Sequence, residues 1–169
     1  AASDVYKRQG KTTILKMLCG LLYPSEGFIS VSGYIPYTRK EAFLKKITLI
    51  MGQKQQLIWD LPPIESFYLN ASIYDIDRFE ANKRIKNLSD MLEIEEELFI
   101  PVRKLSLGQR MKSELLASLI HKPNILFLDE PTLGLDINAQ RKLRKFLKLY
   151  NQQTNATICL TSHYMKDIT

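Results

Sequence analysis

The sequence lacks long apolar runs, has few cysteines and gathers no block of like charge, and each shortage closes off a class of function. Its longest unbroken aliphatic and aromatic stretches, such as Ile125 to Leu128, cover only a few residues. A bilayer span needs roughly 20, so no segment is expected to cross a membrane. Ala1 to Gln9 carry no apolar stretch of the kind that marks a secretory signal, which leaves the cytosol as the expected compartment. Cys19 and Cys159 sit inside apolar patterns with no metal-ligand spacing nearby and are expected to be reduced, buried thiols. There is no internal repeat and no low-complexity tract.

What is present suits one globular α/β domain with a real core. The 169 residues are 45% hydrophobic and 25% charged. The net charge of +6 is spread along several helices, so it reads as solvated faces rather than as a footprint for nucleic acid or an anionic membrane.

Helix-like and strand-like apolar patterns alternate along the chain. A helix is predicted from about Lys11 to Leu22, then a turn at Tyr23–Gly27 and a β-rich stretch from Phe28 to Ser32. Thr38 and Glu41 have capping-box spacing for a short helix through Lys46, and Ile47–Met51 reads as a buried strand. From Leu61 to Phe99, spacings of three and four residues (Ile64, Phe67, Tyr68; Ile85, Leu88, Met91, Leu92) predict a helical subdomain. An amphipathic helix follows Ser106 and stops at Pro123. Ile125 to Leu128, apolar throughout, predicts a central parallel strand; a basic crossover helix over about Asn138 to Tyr150 leads to a second β-prone run, Thr157 to Ser162.

Three local patterns carry chemistry. Gly10-Lys11-Thr12-Thr13 fits the end of a phosphate-binding loop, in which backbone N–H groups at a helix start cradle phosphates, a lysine reaches the outer phosphates and a hydroxyl binds magnesium. The front half departs from that pattern: Val5 stands where a glycine belongs, followed by Tyr6, Lys7, Arg8 and Gln9. Asp129-Glu130, directly after the apolar run, places one carboxylate to hold metal and the next to act on an attacking water; such a pair can also simply mark where a buried strand meets solvent. Leu105-Ser-Leu-Gly-Gln109 opens the amphipathic helix, and its Ser106 hydroxyl can serve either a capping box with Gln109 or a phosphate at the helix N-terminus.

Together these residues resemble the ATP-binding-cassette (ABC) transporter family. LSLGQ is similar to the signature LSGGQ, ILFLDE to the Walker B motif and Leu133-Gly-Leu-Asp136 to the D-loop; Gln53 stands where the Q-loop glutamine belongs and His163, in TSHY, where the switch histidine belongs. The resemblance covers nearly the whole chain from Gly10 to Ile168. It implies a P-loop NTPase-type, mostly parallel sheet flanked by helices, with an inserted helical subdomain. The partition is then 1–9 a non-native junction, 10–60 partial ATPase core, 61–122 helical subdomain with the signature, and 123–169 core with Walker B, D-loop and switch histidine. The family's N-terminal strands, its adenine-stacking aromatic residue and its C-terminal elements are not in the sequence, so residues 1–169 alone are expected to be unstable and to bind ATP poorly. Leu107, at a signature position that is glycine in the family, is a mild departure.

The implied cofactors are ATP and Mg2+. Gly10, Lys11, Thr12, Thr13, Ser106, Gly108, Gln109 and Asp136 are the ATP-binding candidates; Thr12, Gln53 and Asp129 are the metal candidates; Glu130, His163 and Gln53 are the catalytic candidates. In the family two cassettes meet head to tail, which implies a second ATP-binding subunit, identical or not, and a transmembrane permease subunit that holds the assembly on the inner face of the cell membrane. The neighbouring Leu57-Ile-Trp-Asp-Leu-Pro62 can belong to the groove for that subunit or, for Trp59, to core packing. GQKQQLIWDLP and SHYMKDI look similar to exporter-type cassettes. The alternative is a non-transport ABC-type ATPase acting on nucleic acid or ribosomes. The short span between Gln53 and Ser106 leaves no room for the long coiled coil expected there, and no direct nucleic-acid contact is implied.

Overall fold

Ile125–Asp129 forms β2, and all of its residues are buried. The structure is a computed structural model in which residues 2–52 and 56–162 are described, with side chains from residue 10 onward. Neighbouring side chains of a strand point to opposite sides of the sheet, so a strand buried at every position needs cover on both faces. β2 has it. It lies between β1 (Ile47–Met51) and β3 (Thr157–Thr161), all parallel, with Ile47 paired to Ile125 and Ile125 to Thr157. Leu126 and Leu128 belong to one core cluster, with Leu115, Leu116, Leu119, Leu143 and Phe146. Ile125 and Phe127 belong to the other, with Leu15, Cys19, Phe43 and Ile47. The predicted α/β class and parallel sheet are thus what forms.

Helices α1 (Ala2–Leu18) and α2 (Glu41–Leu44) precede β1; α3 (Pro63–Ile73), α4 (Arg78–Leu92) and α5 (Leu107–Leu119) separate β1 from β2; α6 (Ile137–Thr154) joins β2 to β3. Asp77 caps α4 by accepting from the Phe79 and Glu80 amides. The Ser106–Gln109 capping box forms as its spacing predicts, with Gln109 N donating to Ser106 Oγ at 3.2 Å and Ser106 N to Gln109 Oε1 at 2.8 Å. The crossover helix α6 buries Leu143, Phe146, Leu147 and Tyr150, one stripe at helical spacing.

Three expectations are corrected. The first helix ends at Leu18, not Leu22, because Gly20 sits at φ 74° and the Gly20 and Leu21 amides turn back to the carbonyls of Met17 and Lys16. That is a Schellman stop, which glycine favours. Phe28 to Ser32 forms no strand: its only pairing among the described residues is the Val31–Tyr34 bridge across the tight turn at 32–33, since a β-prone run without a neighbour has nothing to satisfy its amides. Thr38 caps nothing, because its hydroxyl donates to the Ile35 carbonyl at 2.7 Å, and α2 opens at Lys40 without a side-chain cap.

Candidate active site

The register of the sheet sets Asp129 beside Thr161 at the ends of β2 and β3. Thr161 Oγ1 donates to Asp129 Oδ1 at 2.7 Å, and from α1, which packs on β2, Thr12 Oγ1 reaches both carboxylate oxygens at 3.1 and 2.8 Å. Asp129 is only 8% exposed. A carboxylate is kept there because hydroxyl donors replace the water it has lost. One carboxylate with flanking hydroxyls is a hard-oxygen set. It suits magnesium, which takes one or two carboxylates and completes its shell with water and phosphate oxygens. Thr161 was not among the sequence-based candidates; its signal is its register opposite Asp129.

Lys11 and Glu130 border the same cluster. Lys11 Nζ donates to the Ser162 carbonyl at 3.0 Å. Glu130 turns the chain out of β2 at φ 53°, with its amide donating to the Thr161 carbonyl at 3.1 Å and its carbonyl accepting from Leu133 N at 3.1 Å. A positive φ on a non-glycine residue stores strain of the sort found at functional turns. Gly52 lies against this turn: its amide donates to the Asp129 carbonyl at 3.0 Å, and a Cβ there would stand 2.5 Å from the Glu130 carbonyl oxygen.

Side chains of the kind that hold phosphate and metal therefore gather here, without a backbone cradle beside them. Gly10 to Thr13 lie inside α1, which starts at Ala2, so their amides are not at a helix start. Ala2 to Gln9 contain neither glycine nor proline to break the helix before them. Magnesium fits the residues present; a phosphate cradle at Gly10 to Thr13 does not fit this helical conformation.

A second group forms at the start of α5. Ser106 is exposed, its hydroxyl engaged with Gln109 N, while Gln109 Nε2 donates to Glu97 Oε1 at 2.7 Å. Gly108 lies against α6, where an added Cβ would stand 3.3 Å from Ala139 Cβ. Asp136 caps α6, accepting from Ala139 N at 2.9 Å. Leu107 packs toward Gly134, which has φ 78° and room for a Cβ only 3.1 Å from Leu107 Cδ2. The turn at Ser106 to Gln109 and the loop before α6 thus touch within one chain. Gln53 and His163 lie outside the described residues.

Residues 9–133 match the ABC transporter family. The chain belongs to that family. NatA, an ABC transporter ATP-binding protein of Bacillus subtilis strain 168, is 31% identical over 159 residues, which cover 94% of this chain and 64% of NatA. The bacitracin transport ATP-binding protein BcrA of Bacillus licheniformis is also 31% identical, over 94% of this chain and 51% of its own length. The solved structure of cbiO1 from Clostridium perfringens, part of the ABC transporter complex cbiONQ, superposes with a TM-score of 0.82 at 27% identity, over 93% of this chain and 64% of cbiO1. The chain spans between 51% and 64% of the length of these relatives. Its sheet and helices are those of the P-loop NTPase-type fold of ABC ATP-binding subunits.

Proposed function

We propose that the full-length protein is an ATP-binding and ATP-hydrolysing subunit that powers transport through a separate membrane subunit, in the direction of export. The observation that carries this reading is the Thr12–Asp129–Thr161 cluster at the end of β2, followed at once by Glu130, in a chain of the ABC transporter family. A magnesium ion held here would supply positive charge against that of the phosphates. Thr12 and Asp129, with Gln53, hold it in this reading. Lys11, Gly10 and Thr13 hold phosphates, which requires the helix to start at Gly10 in the nucleotide-bound protein rather than at Ala2. Glu130 takes the proton of the attacking water, supported by His163.

Ser106, Gly108 and Gln109 sit at the exposed N-terminal end of α5, where a helix dipole favours an anion. They serve the γ-phosphate held by a second ATP-binding subunit, identical or not, and Asp136 links the two sites. Residues 10–60 and 123–169 act as the ATPase core, and 61–122 as the helical subdomain. Among the described residues no helix is long and apolar enough to cross a membrane, and the proposed place is the inner face of the cell membrane, held by a transmembrane permease. The export direction rests on the likeness of the sequences Gly52 to Pro62 (GQKQQLIWDLP) and Ser162 to Ile168 (SHYMKDI) to exporter-type cassettes, and the relatives favour transport over action on nucleic acid or ribosomes.

The test uses the full-length protein carrying Glu130→Gln, with mass measured by light scattering in ATP and magnesium against ADP. The expected result is an ATP-specific dimer that Ser106→Arg abolishes, with ATP turnover down about a hundredfold or more from the loss of a general base. Failure to bind ATP would sink the assignment.

A further inference from the structure

α5 carries a carboxylate that neither the capping box nor the phosphate chemistry uses. Glu114, two turns beyond Ser106, is 6% exposed. Its Oε1 accepts from two successive backbone amides, Gln56 N at 2.8 Å and Leu57 N at 3.2 Å, while its Oε2 is buried with no hydrogen-bond partner. Burial raises its pKa above the ordinary carboxyl value, against the two amides and the nearby Arg110, which lower it. An apolar residue here would satisfy the core, yet the position holds an acid at the cost of desolvation.

The segment it grips is fastened on other sides too. Gln56 Nε2 donates to the Leu49 carbonyl on β1, which is paired through Phe127 to the strand carrying Asp129. The Arg110 guanidinium lies 4.5 Å over the Trp59 ring and donates to the Leu105 carbonyl at 3.1 Å. Val102 N and Arg103 N donate to the carbonyls of Leu61 and Trp59. Residues 56–61 therefore join the sheet that bears the reactive carboxylates to both sides of the signature turn. Glu114 ties α5 to the backbone of that segment, beside the Arg110–Trp59 contact.

We propose that Glu114 is a positioning residue, which sets the Ser106–Gly108 turn relative to the β1–β2 sheet by holding the amides of Gln56 and Leu57. The proposal rests on the ATP-driven dimer proposed above. It differs from plain core packing in what it predicts: loosening this grip impairs the trans contact while leaving nucleotide binding in cis unchanged. Gln at this position keeps the shape and one acceptor but places an NH2 where Oε2 finds no partner.

The full-length protein is compared with Glu114→Gln for ATP affinity, melting temperature and turnover, and in the Glu130→Gln background for ATP-dependent dimerisation. The expected result is ATP affinity and KM within twofold of the parent, with dimer affinity and kcat both down about tenfold, the size of the weakening when a charged acceptor becomes a neutral one. Unchanged dimerisation and turnover overturn the proposal. If the variant also melts earlier, hydrogen exchange at single amides decides. Faster exchange confined to Gln56 and Leu57 supports the proposal; uniform loss of protection across β1 and β2 overturns it. A parent protein that binds no ATP overturns this inference together with the functional reading, an outcome seen before any variant is made.

Discussion

Thr12 spans from α1 to the end of β2 and donates one hydroxyl to both oxygens of Asp129, at 3.1 and 2.8 Å. This places the two metal candidates on the described residues in direct contact, with Thr161 donating to Oδ1 of the same carboxylate. Thr12→Val removes that donor from a buried acid. It should destabilise the protein by about 1–3 kcal/mol and raise the magnesium concentration needed for half-maximal ATP turnover about tenfold or more. Thr12→Ser should restore both. A magnesium titration of turnover in the three full-length proteins checks this, and an unchanged requirement in the valine variant would remove Thr12 from the metal site.

Ser106 serves the helix before it serves any ligand. Its hydroxyl closes one half of the capping box at 3.2 Å, and Gln109, which closes the other half, is also tethered to Glu97. Ser106→Ala should cost about 1 kcal/mol of stability in urea unfolding without nucleotide. In the proposed dimer a phosphate and the cap compete for the same hydroxyl, so the loss of ATP-driven dimerisation should exceed what this small destabilisation explains.

How much of this was legible beforehand depends on whether a signal is local. Ile125 to Leu128 declared a doubly covered strand because every position is apolar, and Ser106 to Gln109 declared a cap because the box is closed within four residues. Asp129 and Glu130 were legible by standing at the end of that strand. Thr161, Gly52 and Glu114 were not, since each matters through a partner distant in sequence: Asp129, the Glu130 carbonyl and the Gln56 and Leu57 amides. The β-rich run at Phe28 failed for the converse reason. Its local propensity is real, but no strand lies beside it among the described residues. Cys19 behaves as its apolar setting implied: it is buried, and burial pushes its thiol up to about 12, so it stays protonated and unreactive.

Leu107, the departure from the family's signature, has a counterpart in Gly134. Gly134 holds φ 78°, and an added Cβ would stand 3.1 Å from Leu107 Cδ2. Gly134→Ala should destabilise by about 1–2 kcal/mol, mostly from the left-handed backbone. The leucine tip can move aside, so adding Leu107→Ala should recover only a small part of the loss. Urea unfolding of the two single variants and the double variant measures the coupling; full recovery would show that contact, not backbone, sets the cost.

His121 gives the stability a pH dependence whose sign is fixed by its surroundings. The ring stacks on Tyr74 with centroids 3.9 Å apart and planes within 5°, its Nε2 faces the Ile47 carbonyl at 3.2 Å, and its Nδ1 is buried without a partner. The contact to a carbonyl assigns the proton to Nε2, so protonation would add a second N–H at Nδ1 with nothing to accept it. Burial, helped by Arg84, holds the pKa below the ordinary 6.5 and outweighs the carbonyl contact, which acts the other way. Above 6.5 the ring is neutral in both folded and unfolded chains and contributes no slope. As the pH falls below 6.5 the unfolded chain takes up the proton first, so stability declines until the folded-state pKa is passed. Buried Glu114, with its pKa raised, acts in the opposite sense as pH climbs above the usual carboxyl range, which is why the comparison must be with a variant of His121. His121→Phe keeps the stack on Tyr74 and cannot titrate. Melting temperatures from pH 8 to pH 5 should fall more steeply in the parent than in this variant, and parallel profiles would show that His121 is already free to protonate in the folded protein.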